Sequence, residues 1–561
     1  MLPFKFCIDP KTRERWIETS IYGKSLLNTP LLNKGTAFSY EERKTFNLLG
    51  KLPQRIESLE EQVERTYQQL LGYATPMQQN IYLNNLHDRN ETVFYRLLID
   101  HLAELMPVIY TPMVGNAVKQ HGREFRQPRG IYISYPDRHH IDEILDNRSH
   151  PEIHLIVATD GEGVLGIGDQ GVGAIDIPIA KLVVYTLCGA INPTHTLPIM
   201  LDVGTNNPEL LADPYYLGWR HARINQEEYD EFIDLFISCI KRKFPQVFLH
   251  WEDLGRQNAQ RVLDRYKDEM CAFNDDIQGT GAVTLAAILS AAKETQIPIE
   301  KQKIIIFGAG SAGVGIADQI ADAIKRAGKS DRDAYQQFWL VDRPGLLTRD
   351  ITNLTTGQQP YARDSAEVQH WPRNAEGKID LQTVIEQVKP TILIGCSTMF
   401  GAFDQTAVET MARYCERPII FPMSNPTERA EADPKDLLTW TNGKALVASG
   451  SPFPNTAQCN NALIFPGLGL GILAAKASRL TDNMLWVACQ VLAAAAPIHK
   501  NPQGPVLPAI SDARALRIDI AKAVMEQARL DGVAQADWSE GVDALIDRFS
   551  WEPDYVPLRK V

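Results

Sequence analysis

At 561 residues the chain is longer than one ordinary domain, so two large domains, or one domain with substantial additions, are expected. A net charge of −12 excludes a binder of nucleic-acid phosphates, which needs clustered Lys and Arg. The 8 cysteines are scattered with no CxxC pair, which argues against a disulfide framework or a thiolate zinc site.

In chain order, the opening "MLPFKFCIDPKTRERWIE" lacks an apolar leader core, and no uninterrupted apolar run reaches the ~18 residues of a membrane span; a cytoplasmic protein is expected. Residues 40–125 read as helices: "YEERKTFNLL", "ESLEEQVERTYQQLLGYA" and "ETVFYRLLIDHLAELMPVIY" space their apolar residues by three and four. From about residue 150 the texture turns to strand, glycine turn and helix. "EIHLIVATDGEG" is a buried strand running into a turn, and "LPIMLDVGTNN" repeats that form. "AVTLAAILSAAKETQ" is a buried helix, and "KQKIIIFGAGSAGVGIADQIADAIKRAG" followed by "QFWLVD" reads strand, glycine loop, helix, strand. Further strands are expected at "PTILIG", "PIIFPMSNPT" and "KALVASG". Strands alternating with helices imply an α/β fold with a mostly parallel, doubly wound sheet.

The most specific local pattern is "GAGSAG", Gly308 to Gly313, placed between an apolar strand and a helix. Gly308 suits the tight turn, Gly310 the approach of a pyrophosphate, and Gly313 the packing of helix on strand. The first helical residues, Ser311 and Ala312, then offer free N–H groups to the phosphates. Asp342 ends the next strand and is the candidate for the ribose hydroxyls, which favours NAD over NADP, although Arg343 follows it directly.

Two acidic pairs flank buried-looking elements: Glu252 and Asp253 after "QVFLHW", and Asp275 and Asp276 in "FNDDIQGTG". Alone, the first pair reads as an exposed turn, and the second as two carboxylates facing a metal, a lysine or water. Three carboxylates together would make an oxygen-rich site for Mg²⁺ or Mn²⁺, and not one for zinc or copper. Taken singly, Lys181 reads as a solvated lysine in a first helical turn opened by Pro178, and Tyr110 as a core tyrosine. By the same measure "SNPT" (424–427) is a turn, and "QCNNALIFPG" (458–467) a polar helix start.

Together these stretches resemble the malic enzyme family. The resemblance spans most of the chain: "TPLLNKGTAF", "YTPMVG", "GIGDQGVG", "LDVGTNN", "WED", "FNDDIQGT", "FGAGSAG", "SNPT" and "QCNNALIFPG" occur in order. It implies an N-terminal helical segment with an α/β catalytic domain over 1–280. A Rossmann-type dinucleotide-binding domain over 281–535 and a C-terminal tail over 536–561 would follow. It also implies NAD and Mn²⁺ or Mg²⁺ as cofactors, L-malate as substrate, and a homo-oligomer, dimer or tetramer.

Position by position, Glu252, Asp253 and Asp276 match the family's metal ligands. Lys181 matches its general base, Tyr110 its general acid, and Asp275 a carboxylate near that lysine. Asn425 matches an amide that contacts substrate and cofactor, and Asn460 with Asn461 the substrate-contacting amides. The implied chemistry has Lys181, helped by Asp275, accept the malate hydroxyl proton as hydride leaves for NAD⁺. Decarboxylation follows, and Tyr110 protonates the enol carbon.

Two features depart from the family pattern. Gly163 stands in "DGEG" where the family usually carries a substrate-binding arginine in "DGER", and a fork of charge-assisted donors is lost. The malolactic branch, which converts malate to lactate and CO₂ with bound NAD, is similar in having glycine there. "STMFGAF" and "ERPIIFP" also look closer to that branch, so a malolactic product is slightly favoured over pyruvate and NADH. The second departure is "SPFPNTAQCNN" (451–461), a loop shorter than the family's; with Gly163 it leaves room for a non-catalytic NAD-binding homologue.

Overall fold

The computed structural model describes residues 4–9, 12, 14–164 and 166–561. The chain forms two compact units: one of 1–157, 170–244 and 550–561, the other of 158–169 and 245–549. Contacts thus draw 245–280 into the second unit and divide the stretch 536–561 between the two. Six residues of the opening stretch, and Leu165 in the "DGEGVLG" turn, lie outside the described residues.

The first unit opens with β1 (Phe4–Ile8) and β2 (Arg15–Thr19) in antiparallel pairing. The C-terminal strand Leu558–Lys560 joins β2 in parallel, Leu558 opposite Ile17. Both side chains enter an apolar core with Leu26, Phe38 and Phe46, which is what holds the chain's end in this unit. The region expected to be helical is so: α1 (Leu59–Leu71), α2 (Pro76–His87), α3 (Glu91–Asp100), α4 (Leu102–Ile109) and α5 (Met113–Glu124). Ser58 with Glu61 and Thr75 with Gln78 close reciprocal caps at the starts of α1 and α2, and Pro76 occupies the first helical position of α2. Leu59, Val63, Thr66 and Leu70 of α1 form its buried stripe.

β3 (Ile131–Ser134) is followed by β4 (Leu155–Thr159) and β5 (Thr196–Asp202), and β3 pairs in parallel with β5. Between β4 and β5 lies α6 (Asp176–Gly189), in which every residue from Pro178 onward except Ile179 is buried. The stretch Gly171–Gly189 is long and apolar enough to cross a membrane, but it is 89% buried within the fold and is a core helix.

In the second unit, β6 (Phe248–Trp251) and β7 (Ala272–Asn274) pair in parallel. A wide π-type turn over Asp275–Gly279 leads from β7 into α7 (Thr280–Thr295). The remaining strands are β8 (Ile304–Phe307), β9 (Phe338–Asp342), β10 (Gly345–Leu346), β11 (Ile392–Gly395), β12 (Ile419–Pro422), β13 (Leu446–Ser449) and β14 (Ala457–Gln458). They form one seven-stranded sheet in the order β10-β9-β8-β11-β12-β13-β14, with only β10 antiparallel to its neighbour. After β9 and β10 the chain crosses to the other side of β8, so the strand order reverses between β8 and β11. The carboxyl ends of those two strands are where such sheets open a ligand crevice. α8 (Ser311–Arg326) starts at that point.

Candidate active site

The acidic pairs converge. One carboxylate oxygen from each of Glu252, Asp253 and Asp276 lies within 4.8 Å of the others. Glu252 and Asp253 follow directly on β6, and both are 4% exposed. Asp253 takes a left-handed backbone conformation (φ 52°), uncommon for a side-chain-bearing residue, and its N–H donates to Asp276 Oδ2 at 2.8 Å. The turn after β6 is thereby tied to the turn after β7. His250 is fully buried, and its Nε2 lies 2.7 Å from Glu252 Oε2. His250 thereby orients the Glu252 carboxylate from behind, and a ligand atom of each also lies within 4.8 Å of an Asp275 oxygen.

Asp275 has a different environment. It is fully buried, and Asn461 Nδ2 donates to its Oδ2 at 2.9 Å and to Thr280 Oγ1 at 3.1 Å. The donor face of Asn461, expected to meet substrate, is thus engaged in holding Asp275. Asn460 turns inward as well, its Oδ1 accepting from the Ala462 N–H at 3.0 Å. Gly279 makes room for the arrangement, since a Cβ there would sit 1.9 Å from Asp275 Oδ1. Asp275 and Asp276 therefore differ in their hydrogen-bond partners, Asn461 for the first and the Asp253 N–H for the second, although a carboxylate oxygen of each lies within 4.8 Å of Glu252.

The glycine turn has the geometry its sequence suggested. Gly308 (φ 102°) ends β8, where a Cβ would lie 2.4 Å from the Cys396 carbonyl at the end of β11. A Cβ on Gly313 would lie 2.0 Å from Gly308 O, so only glycine lets α8 pack this closely. At Gly310 a Cβ would meet nothing nearer than the Arg256 guanidinium, 3.8 Å away, among the described residues, which leaves a phosphate an open approach. Ser311 and Ala312 form the first turn of α8 with Gly313. Asp342 ends β9, half-buried, and its Oδ1 accepts from the Arg343 N–H at 2.8 Å. Gln358, 6% exposed and far off in sequence, braces the turn by donating to Ala309 O at 2.7 Å.

A buried carboxylate organises the neighbouring loops. Glu431, with no exposed surface, accepts from the Ser397 N–H (2.7 Å), the Ser397 hydroxyl (2.8 Å) and the Ser424 hydroxyl (2.6 Å). It ties the loop after β11 to "SNPT" after β12. Asn425 is held from its other side, where the Ser451 hydroxyl donates to its Oδ1 at 2.6 Å. That contact turns the Asn425 amide nitrogen away from Ser451, free to serve as a donor. Glu431→Ala would leave the part-buried Ser397 donors and the buried Ser424 hydroxyl without this acceptor, and a loss of about 2–3 kcal/mol in stability is expected. Glu431→Gln, which keeps an acceptor, should lose less than half of that. Chemical denaturation of both variants checks the order, and equal stabilities would remove Glu431 from this role.

Gly163 is more than an arginine missing. Its N–H donates to Asp253 O at 2.9 Å, and a Cβ there would lie 2.4 Å from Leu254 O. The turn has closed onto the backbone beside Asp253, and no side chain fits without moving it. Gly163→Arg should therefore destabilise the protein by about 2–3 kcal/mol. A melting temperature equal to that of the parent would show that the turn opens freely. The short loop also has a defined path: residues 453–456 turn back so that β14 pairs with β13, Ala457 opposite Ala448, and the Cys459 N–H reaches Ser449 O at 2.8 Å.

Tyr110 and Lys181 belong to the first unit, whereas the acidic and nucleotide-turn residues belong to the second. Lys181 is not a solvated first-turn lysine. The helix starts at Asp176, two residues before Pro178, and Lys181 is only 3% exposed in its second turn. Tyr110 caps the end of α4 with 7% exposure, and Lys181 Nζ lies 5.4 Å from the centre of its ring.

Residues 87–267 match the family model described as malic enzyme, N-terminal domain, and residues 277–529 that described as malic enzyme, NAD binding domain. The chain is 48% identical over 542 residues to a protein of Proteus mirabilis named NAD-dependent malic enzyme, covering 95% of this chain and 96% of that one. A protein of Aeromonas hydrophila with the same name is 48% identical over 547 residues, 96% of this chain and 97% of its own. Among solved structures, the malic enzyme of Entamoeba histolytica shares the fold with a TM-score of 0.55 and 21% identity over 90% of each chain. With both family domains in order and near-full-length relatives at this identity, the chain belongs to the malic enzyme family.

Proposed function

We propose that the protein catalyses the oxidative decarboxylation of L-malate, passing hydride to NAD⁺ and releasing pyruvate and CO₂. As a family member it is a malate-decarboxylating enzyme that works with NAD. The observation that carries the reading is the convergence of Glu252, Asp253 and Asp276, an all-carboxylate set suited to Mg²⁺ or Mn²⁺. The names of the relatives support pyruvate and NADH as products over the malolactic outcome.

Glu252, Asp253 and Asp276 would hold the cation, which would supply Lewis acidity, and the glycine turn would hold NAD⁺, which would supply the hydride acceptor. Lys181 accepts the hydroxyl proton as the C2 hydride leaves. The C3–C4 bond then breaks, its electron pair becoming the C2–C3 double bond of the enol as CO₂ departs. Tyr110 delivers a proton to C3. Asn425, its carbonyl held by Ser451, presents its amide nitrogen to substrate or cofactor.

The decisive assay is incubation with L-malate, NAD⁺ and Mn²⁺. NADH and pyruvate accumulating in equal amounts is the expected result. Lactate formed without net NADH would overturn it in favour of the malolactic reading, which Gly163 supports. NAD binding without any malate turnover would indicate a non-catalytic homologue.

Functionally we divide the chain near residue 280, supported by the family-model boundaries at 267 and 277. All 8 cysteines are free, which supports a cytoplasmic setting. Homo-oligomerisation through the helical N-terminal region is supported by Tyr22, Leu49 and Ile56, which are 55%, 52% and 47% exposed; light scattering reads the mass directly.

A further inference from the structure

The first unit carries a second group of metal-ligating side chains with no part in the reaction proposed above. His150, Glu152 and His154 occur together in "HPEIH", which runs into β4. His195 ends the short turn Pro193–His195 from which β5 begins. The His154 N–H donates to His195 O at 2.8 Å, so the entries to the two strands are locked side by side. The turn is itself held by Asn192, whose Oδ1 accepts from the Thr194 N–H at 3.0 Å.

His195 Nδ1 lies 3.0 Å from the backbone carbonyl of Glu152. A carbonyl only accepts, so Nδ1 carries the proton and Nε2 presents its lone pair. Anchoring the far ring nitrogen on a carbonyl is how proteins fix the tautomer and direction of a metal-binding imidazole. The His154 and His195 rings lie 4.4 Å apart and 24° from parallel, and His150 meets His195 edge-on at 4.6 Å. One ligand atom from each of Glu152, His154 and His195 lies within 4.8 Å of the other two. Glu152 is exposed and the two histidines are half-buried, so an ion reaches the group directly from solvent.

We propose that Glu152, His154 and His195 form a site for a divalent transition-metal ion, of the class of Zn²⁺, Ni²⁺ or Cu²⁺, with water completing the coordination. Two imidazole nitrogens and one carboxylate oxygen suit these ions, whereas Mg²⁺ prefers the all-oxygen set of Glu252, Asp253 and Asp276. The site clips the entry of β4 to that of β5, and an ion bound there stabilises the folded first unit by mass action.

The test uses untagged full-length protein, stripped with EDTA and then saturated with Mg²⁺. Calorimetric titration with Zn²⁺ should show one equivalent that Mg²⁺ does not displace. That equivalent should weaken at least tenfold in His154→Ala and in His195→Ala, while Mg²⁺-supported malate turnover stays unchanged. With Cu²⁺ as probe, electron paramagnetic resonance should show nitrogen couplings that both variants lose. Should an alanine variant lose turnover through misfolding, the corresponding glutamine variant replaces it. Zn²⁺ stoichiometry and affinity unaltered in both variants, or a Cu²⁺ spectrum without histidine-dependent nitrogen coupling, would overturn the site.

Discussion

Asp276→Asn should lower metal-dependent malate turnover by ~10³-fold or more, about 4 kcal/mol of transition-state stabilisation, and its stability relative to the parent should change sign with metal. The three carboxylates lie within 4.8 Å of one another. At that spacing, with an effective dielectric constant of ~20, each pair of charges repels by roughly 3 kcal/mol. A divalent cation turns that repulsion into attraction, so chelation should lower the melting temperature of the parent protein. Asparagine removes one charge but keeps an oxygen to accept the Asp253 N–H, which now donates to Asp276 Oδ2 at 2.8 Å. The backbone tie survives, and the charge is what changes. Without metal, the variant should melt at or above the parent; in saturating Mn²⁺ the order should reverse. Melting curves of both proteins with EDTA and with Mn²⁺, alongside steady-state rates, decide the matter. Turnover within tenfold of the parent, or an order of stabilities that metal does not change, would remove Asp276 from the ligand set.

The features that sequence made legible are those in which a residue type and its immediate neighbours already state the geometry. "GAGSAG" after an apolar strand implies a turn that only glycine allows, and Gly308 and Gly313 prove to sit where a Cβ would strike backbone. The acidic pairs were legible as unusual, but their convergence was not, because it depends on β6 and β7 being neighbours. Glu431 shows the limit most clearly. In "TERAEADP" it reads as one charge among several on a surface loop, yet it has no exposed surface, since Ser397 arrives from the loop after β11 and Ser424 folds back from the start of its own loop. His250 carries a legible signal: a polar residue inside the apolar run "QVFLHW" is either an edge or a buried partner to something. Lys181 is hidden for a local reason: Pro178 reads as a helix start, whereas the helix opens at Asp176 and carries the lysine into its second turn. The loop at 451–461 gave no hint of β14, whose existence rests on pairing with β13 and not on its two residues.

Lys181→Met should reduce kcat by ~10²–10⁴-fold while leaving NAD binding unchanged, the range a positioned general base contributes. Methionine is chosen because Lys181 is 3% exposed on a helix buried almost all round. An unbranched apolar side chain of similar length keeps most of the packing, so the protein should still fold. A fall in rate with the folded state retained at the assay temperature, read from a melting curve, then separates the proton-accepting role from packing. Tyr110→Phe supplies the second arm. Its hydroxyl is lost but the ring remains, and with it the face that Lys181 Nζ approaches at 5.4 Å from the centre. If the two side chains share one proton path, the double variant should be little slower than the worse single variant, because removing either already breaks the path. Rates that fall independently and multiply would separate Tyr110 from Lys181. Full activity in Lys181→Met would exclude the lysine as the base and move the search to the carboxylates of the second unit, beginning with Asp275, whose side chain Asn461 already holds in place.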